Sequence, residues 1–65
     1  MLFTGKITKV TDYGSEFAIS YDGHAFSISK NELCGFTPRN GHKVAVDVND
    51  INVVVGVRIN GRKFR

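Results

Sequence analysis

Residues 16–29 read EFAISYDGHAFSIS, with an alternation of apolar and polar side chains on each side of Asp22-Gly23. Asp-Gly favours a two-residue hairpin loop, because both central positions of a type I′ turn need positive φ. Two strands joined this tightly pair antiparallel. We therefore expect Phe17, Ile19 and Tyr21 to share an inward face with the apolar residues of the next strand.

The same period-two pattern continues on both sides of this hairpin and predicts three more strands. They are expected at residues 2–10, 42–48 and 53–59, and Asn60-Gly61 is interpreted as the end of the last one. Residues 30–35 between the third and fourth strands favour one helical turn, with Ser29 as N-cap and Gly35 as its close.

Five short strands in a chain of 65 residues leave no room for a sandwich with a thick core. Curling one sheet into a small barrel buries one face and limits the exposed edges. We expect an all-β, five-stranded OB-fold barrel with a short helical turn between strands 3 and 4, and an SH3-like barrel is the alternative. Residues 1–60 form the expected domain, and residues 61–65 a basic C-terminal tail.

The formal net charge of +3 is concentrated at one end of the chain. Residues 1–57 contain five basic and six acidic side chains, whereas residues 58–65 contain four basic side chains and no acidic one. Such a cluster binds phosphate through counterion release, or it keeps a chain in solution. The sequence leaves both interpretations open.

Short motifs, in order along the chain, resemble the S1 RNA-binding domain family. Residues 5–14, GKITKVTDYG, resemble the opening of that domain, and residues 41–46, GHKVAV, are similar to its fourth-strand segment. Ser27-Ile28-Ser29 followed by Glu32-Leu33 looks like its Val-His-Ile-Ser-Glu-Leu segment with an insertion. Residues 16–29 also resemble bacterial translation initiation factor one, itself a small S1-like barrel.

The resemblance implies an S1-like, translation-related protein that binds single-stranded RNA across strands 2 and 3, alone or within a ribosome or another RNA–protein assembly. Tyr13 matches the family's aromatic residue in the Asp-Tyr-Gly segment and is the candidate for stacking on a base. Ser27 stands at the position of the family's histidine. The basic side chains provide the candidate phosphate contacts, and these are Lys6, Lys9, Lys43, Arg58, Arg62, Lys63 and Arg65.

A second hypothesis is a protein-interaction module that keeps the barrel without the RNA platform. Glu16 and Ser27 occupy platform positions where the family stacks bases, and residues 1–57 are nearly neutral. A protein partner or a second copy would then contact Leu2-Phe3 and the apolar run at residues 53–55.

The sequence predicts a protein without catalytic activity, metal or cofactor. His24 and His42 lack further ligands at zinc-site spacing, and no glycine-rich phosphate loop is present. The single cysteine, Cys34, favours a reducing compartment, and no apolar run approaches the roughly 20 residues of a membrane span. We therefore expect a cytoplasmic protein without membrane contact.

Overall fold

The hairpin expected at residues 22–23 forms one edge of an antiparallel sheet in the computed structural model, which describes all 65 residues. Asp22 and Gly23 have φ values of 43° and 79°, as a type I′ turn requires. The elements are β1 Leu2–Asp12, β2 Glu16–Tyr21, β3 His24–Ser29, α1 Lys30–Leu33, β4 Lys43–Val48, β5 Val54–Ile59 and β6 Arg62–Lys63.

The sheet has six strands in the order β3-β2-β1-β4-β5-β6, and every neighbouring pair is antiparallel. It curls into a half-barrel. The all-β class and the helical turn between β3 and β4 are confirmed, whereas the expectation of five strands is wrong. The two ends of the sheet, β3 and β6, are not paired with each other, so the sheet does not close.

The additional strand β6 exists because the chain reverses at Asn60-Gly61. Their φ values of 54° and 81° form a second left-handed two-residue turn. The chain then runs back along β5, and the Phe64 N–H donates to the carbonyl of Val57 at 2.8 Å. Residues 61–65, expected as a basic tail, therefore lie along the edge of the sheet.

The long strand β1 joins the two halves of the half-barrel. Its first half pairs with β4 and its second half with β2. A β-bulge between Ile7 and Lys9 bends the strand where it changes partner. Gly5 lies at the same bend, and a Cβ atom there would be 3.0 Å from Cβ of Asp22 and 3.3 Å from Cδ2 of Tyr21. A larger residue at position 5 would therefore force Tyr21 or Asp22 to shift.

The inner face of the sheet forms the core. Phe17 and Val10, which the sequence predicts as core residues, are half-buried and pack against it. The inward faces predicted from the alternation in β2 and β3 are confirmed. The buried apolar residues are Ile7, Ile19, Tyr21, Phe26, Ile28, Leu33, Val44, Val46, Val57 and Ile59.

Helix α1 and the C-terminal residues bridge the two ends of the sheet. Ser29 caps α1 by accepting the Glu32 N–H at 3.2 Å, and the helix brings Glu32 to the end of the chain. Nε and Nη2 of Arg65 donate to the two carboxylate oxygens of Glu32 at 2.8 and 2.6 Å. These hydrogen bonds hold the pKa of Glu32 below its ordinary value. Next to them, the rings of Phe36 and Phe64 lie 5.0 Å apart.

With a single helix of four residues, the fold contains no helix of the length and hydropathy that crossing a bilayer requires.

Candidate nucleic-acid interface

Four of the predicted phosphate-contact residues meet on one side of the sheet. Because Val44 and Val46 point into the core, the intervening residues of β4 point outward, and the cross-strand register extends this outer face over β1, β5 and β6. It carries Lys6, Lys43, Arg58 and Lys63, all exposed. We call these four side chains the outer basic cluster.

The cluster consists of two directly opposed pairs. Lys6 on β1 faces Lys43 on β4, and Arg58 on β5 faces Lys63 on β6. Opposed residues have Cβ atoms about 5 Å apart, and diagonal neighbours such as Lys43 and Arg58 lie about 7–8 Å apart. The four cations therefore run obliquely across four strands.

The surface between the side chains of the outer basic cluster is made of small residues. Thr4, Gly5, Ala45 and Gly61 line an open groove of about 490 Å³ together with Lys6, Lys43 and Arg58. No aromatic side chain lines this groove, so what it offers a ligand is positive charge and open space.

No carboxylate forms an ion pair with the cluster. The three ion pairs of the molecule join Met1 to Asp47, Lys30 to Asp12 and Arg65 to Glu32, and none includes a member of the cluster. Like charges directly opposite each other on neighbouring strands destabilise a sheet. The fold therefore keeps two repulsive pairs side by side, an arrangement that an anionic ligand would relieve.

The other half of the sheet carries two predicted site residues and no stacking platform. Ser27 lies on the outer face of β3 beside Ala18 of β2, and Lys9 lies opposite Ser20. Small side chains thus cover the surface where the S1 resemblance implies stacking on bases. Tyr13 lies apart in the β1–β2 turn with 67% of its surface exposed, and its ring is free to contact a ligand there.

The two remaining predicted cations have contacts of their own. The Arg62 guanidinium lies 5.3 Å from the centre of the Phe64 ring. Arg65 is bound to Glu32 and also donates from Nη1 to the Val54 carbonyl at 3.3 Å. Its guanidinium is thereby occupied within the fold, and Arg65 is not brought into the cluster.

A feature that the sequence analysis did not single out lies at the end of the cluster. Leu2, Asp47 and Gly56 form the next cross-strand row of the outer face, and a depression of about 300 Å³ opens there. The alternation along residues 43–48 places Asp47 outward with Lys43 and Ala45. The pairing of β1 with β4 and β5, which brings Leu2 and Gly56 beside it, has no local signal.

The residues with catalytic or metal-binding chemistry lie apart. No group of three or more His, Cys, Asp or Glu side chains is placed to hold a metal ion. The His24 ring packs 4.7 Å from Phe3, and Nδ1 of His42 accepts the Arg39 N–H at 3.1 Å. Cys34 is exposed after α1, and its Sγ donates to the Asn31 carbonyl.

Comparisons of the chain with protein-family models, with curated proteins and with solved structures find no match.

Proposed function

We propose that this protein binds the phosphate backbone of single-stranded RNA through the outer basic cluster, without catalysing a reaction. The observation that carries the proposal is the presence of two like-charged cross-strand pairs, Lys6–Lys43 and Arg58–Lys63, none of whose members forms an ion pair with a carboxylate. Neutralising phosphates with such cations releases counterions and drives binding.

The strand order supports an OB-type barrel as the scaffold. An OB fold is a five-stranded, partly open Greek-key barrel whose strand 2–3 face and adjoining loops bind oligonucleotides. Here β1 pairs with both β2 and β4, and β3 and β5 end the first five strands of the sheet. We infer an OB barrel opened between β3 and β5, with β6 added along β5. The S1-like motifs favour RNA as the ligand.

A single strand fits the cluster better than a rigid duplex does. The oblique line of four cations follows a flexible backbone that lies across the sheet, and the small floor residues let that backbone approach. Lys and Arg contacts to phosphate position a strand without reading its sequence. Tyr13, exposed in the β1–β2 turn, is the candidate for one stacking contact outside the cluster.

The test is a fluorescence anisotropy titration of an RNA octamer of uridine at several salt concentrations. Four phosphate contacts predict a slope of log K against log salt of about −2.8, since each contributes about −0.7. Alanine at Lys6, Lys43, Arg58 or Lys63 should make the slope shallower by about 0.7 each.

Lys9→Ala is the matched control, because it removes the same charge from the other half of the sheet. It should leave the slope close to that of the wild type. An equal effect of Lys9→Ala and Lys43→Ala would show that only net charge matters, and a salt-independent affinity would refute backbone binding. A DNA octamer measured in parallel reports whether the ribose hydroxyls contribute.

A second candidate function is protein interaction, which the exposed aliphatic side chains Leu2, Ile51, Val53 and Val55 favour. They lie toward one end of the sheet, near the β4–β5 turn. Sedimentation velocity of nuclease-treated protein tests for self-association at this end. A dimer that Val53→Lys dissociates would support an interaction module. A monomer at all concentrations, with oligonucleotide binding intact, would count against it.

A further inference from the structure

The outer basic cluster ends at a notch that contains the Asp47 carboxylate. Asp47 points outward from β4, and its cross-strand neighbours are Leu2 on β1 and Gly56 on β5. This row lies next to the row that contains Arg58 and Lys63. A strand whose phosphates lie on the cluster would therefore pass directly beside the notch.

Glycine opens the floor of this notch, and its walls include the aliphatic side chains of Leu2 and Val55, while Arg58, Lys63 and Arg65 also line it. A Cβ atom at Gly56 would lie 3.2 Å from Cβ of Asp47, so a side chain there would fill the space beside the carboxylate. Leu2 and Val55 line the depression with 63% and 48% of their surfaces exposed. The depression of about 300 Å³ is large enough for the flat ring system of a nucleobase.

The Asp47 carboxylate retains unused hydrogen-bonding capacity. Its Oδ1 atom lies 3.3 Å from the Met1 amine, its side chain is 54% exposed, and it forms no ion pair with Arg58 or Lys63. A carboxylate has about four lone-pair sites, so acceptor positions on both oxygens stay open. A carboxylate repels phosphate. Beside a row of cations that binds phosphates, Asp47 would instead accept hydrogen bonds from a ligand group that carries N–H donors.

We propose that the notch binds a guanine base of the strand held by the outer basic cluster, an inference that rests on the proposed function. Guanine presents two adjacent donors, the ring N1–H and the exocyclic amine, which match the two oxygens of a carboxylate. Adenine, cytosine and uracil each place an acceptor beside their donor. Single-stranded bases are read on this Watson–Crick edge, and Leu2 and Val55 would contact the ring faces.

The experiment compares uridine octamers in which one central position holds guanosine, inosine, adenosine or uridine. The full chain is titrated with each octamer at one salt concentration, and the Kd is measured by anisotropy. A bidentate contact predicts about tenfold tighter binding of the guanosine octamer than of the uridine octamer. Inosine keeps N1–H but lacks the exocyclic amine, so its octamer should lose most of this preference.

Asp47→Asn should abolish the preference for guanosine, because an amide offers only one acceptor oxygen. Asp50→Asn also removes one negative charge, but in the exposed β4–β5 turn, and should retain the preference for guanosine. Equal binding of all four octamers by the wild type, with the salt slope intact, would overturn the guanine site and leave the proposed function standing. If Asp47→Asn lowered the Kd of all four octamers equally, Asp47 would act only by repelling phosphate, and this result would also overturn the guanine site. Absence of binding to any octamer would refute the proposed function itself.

Discussion

Replacing Lys43 by glutamate is expected to stabilise the fold and weaken RNA binding in the same molecule. Lys43 lies directly opposite Lys6 in the β1–β4 register, and both side chains are exposed. The substitution turns a like-charged pair into an oppositely charged one. Most substitutions that abolish binding leave open whether the fold was lost, whereas this one moves stability and binding in opposite directions.

The size of the stability gain follows from cross-strand pair energies. An opposite-charge pair stabilises a sheet by roughly 0.2–1 kcal/mol, and a like-charged pair destabilises it. Exchanging one for the other at the exposed pair of Lys6 and Lys43 should add about 0.5–1 kcal/mol. In a domain of this size that raises the Tm by about 2–8 °C, because 1 kcal/mol shifts Tm by roughly 4–8 °C. Thermal unfolding followed by circular dichroism at low salt measures it.

The binding side of the prediction is a shallower salt dependence and a lower affinity. Wild type with four phosphate contacts should lose about 50-fold in affinity between 50 and 200 mM salt, and three contacts should lose about 20-fold. The introduced carboxylate also repels the phosphate backbone of the RNA. The affinity for RNA at 50 mM salt should therefore fall further with Lys43→Glu than with Lys43→Ala. The assay is the same anisotropy titration with the uridine octamer.

Lys9→Glu provides the control for this variant, since Lys9 lies opposite Ser20 and has no like-charged cross-strand partner. Its Tm should change little, and its salt slope should stay near that of the wild type. A lower Tm for Lys43→Glu would contradict the repulsion argument. Unchanged RNA binding in a stabilised Lys43→Glu protein would refute the cluster as the binding face.

Three further substitutions test the packing that positions the cluster. Gly5→Ala should destabilise the fold by about 1–3 kcal/mol in urea unfolding, because its Cβ would lie 3.0 Å from Cβ of Asp22. Phe64→Ala should cost about 2 kcal/mol in the same assay, since a half-buried ring that packs on Phe36 is lost. Glu32→Gln should lower stability by up to about 1 kcal/mol at neutral pH. The pKa of Glu32 is lowered in the folded state, so the wild type should lose its stability advantage over Glu32→Gln as the pH falls below 4.5 and through the lowered pKa of the folded state. Urea unfolding at several pH values across this range measures the loss.

Local signals were sufficient for the hairpin and the helical turn. Asp22-Gly23 predicts the type I′ turn by itself, and Ser29 predicts the start of α1 by its capping chemistry. Asn60-Gly61 carries the same turn signal, but it was interpreted only as the end of the last strand. The strand β6 was missed because two residues are too short to show an alternation, and its pairing depends on the edge that β5 presents.

The proposed binding surface was harder to predict from the sequence than the strands. Alternation tells which side chains of one strand share a face, but the cluster depends on pairing between β1 and β4, which lie far apart in the chain. That register brings Lys6 beside Lys43 and leaves Lys9 on the other half of the sheet. The family resemblance placed the expected RNA contact on β2 and β3, where the outer side chains are small.

The short strand β6 changes what the basic C-terminus can do. A free tail would let its cations contact phosphate independently of one another, with little effect on the rest of the molecule. Pairing with β5 instead fixes Lys63 beside Arg58, commits Arg65 to Glu32 and places Phe64 against the core. Truncation after Asn60 would therefore remove a proposed binding residue, Lys63, and two structural ones, Phe64 and Arg65, together. Lys63→Ala, expected to weaken binding with little change in stability, and Phe64→Ala, expected to do the reverse at the same salt concentration, separate the two roles within one strand end.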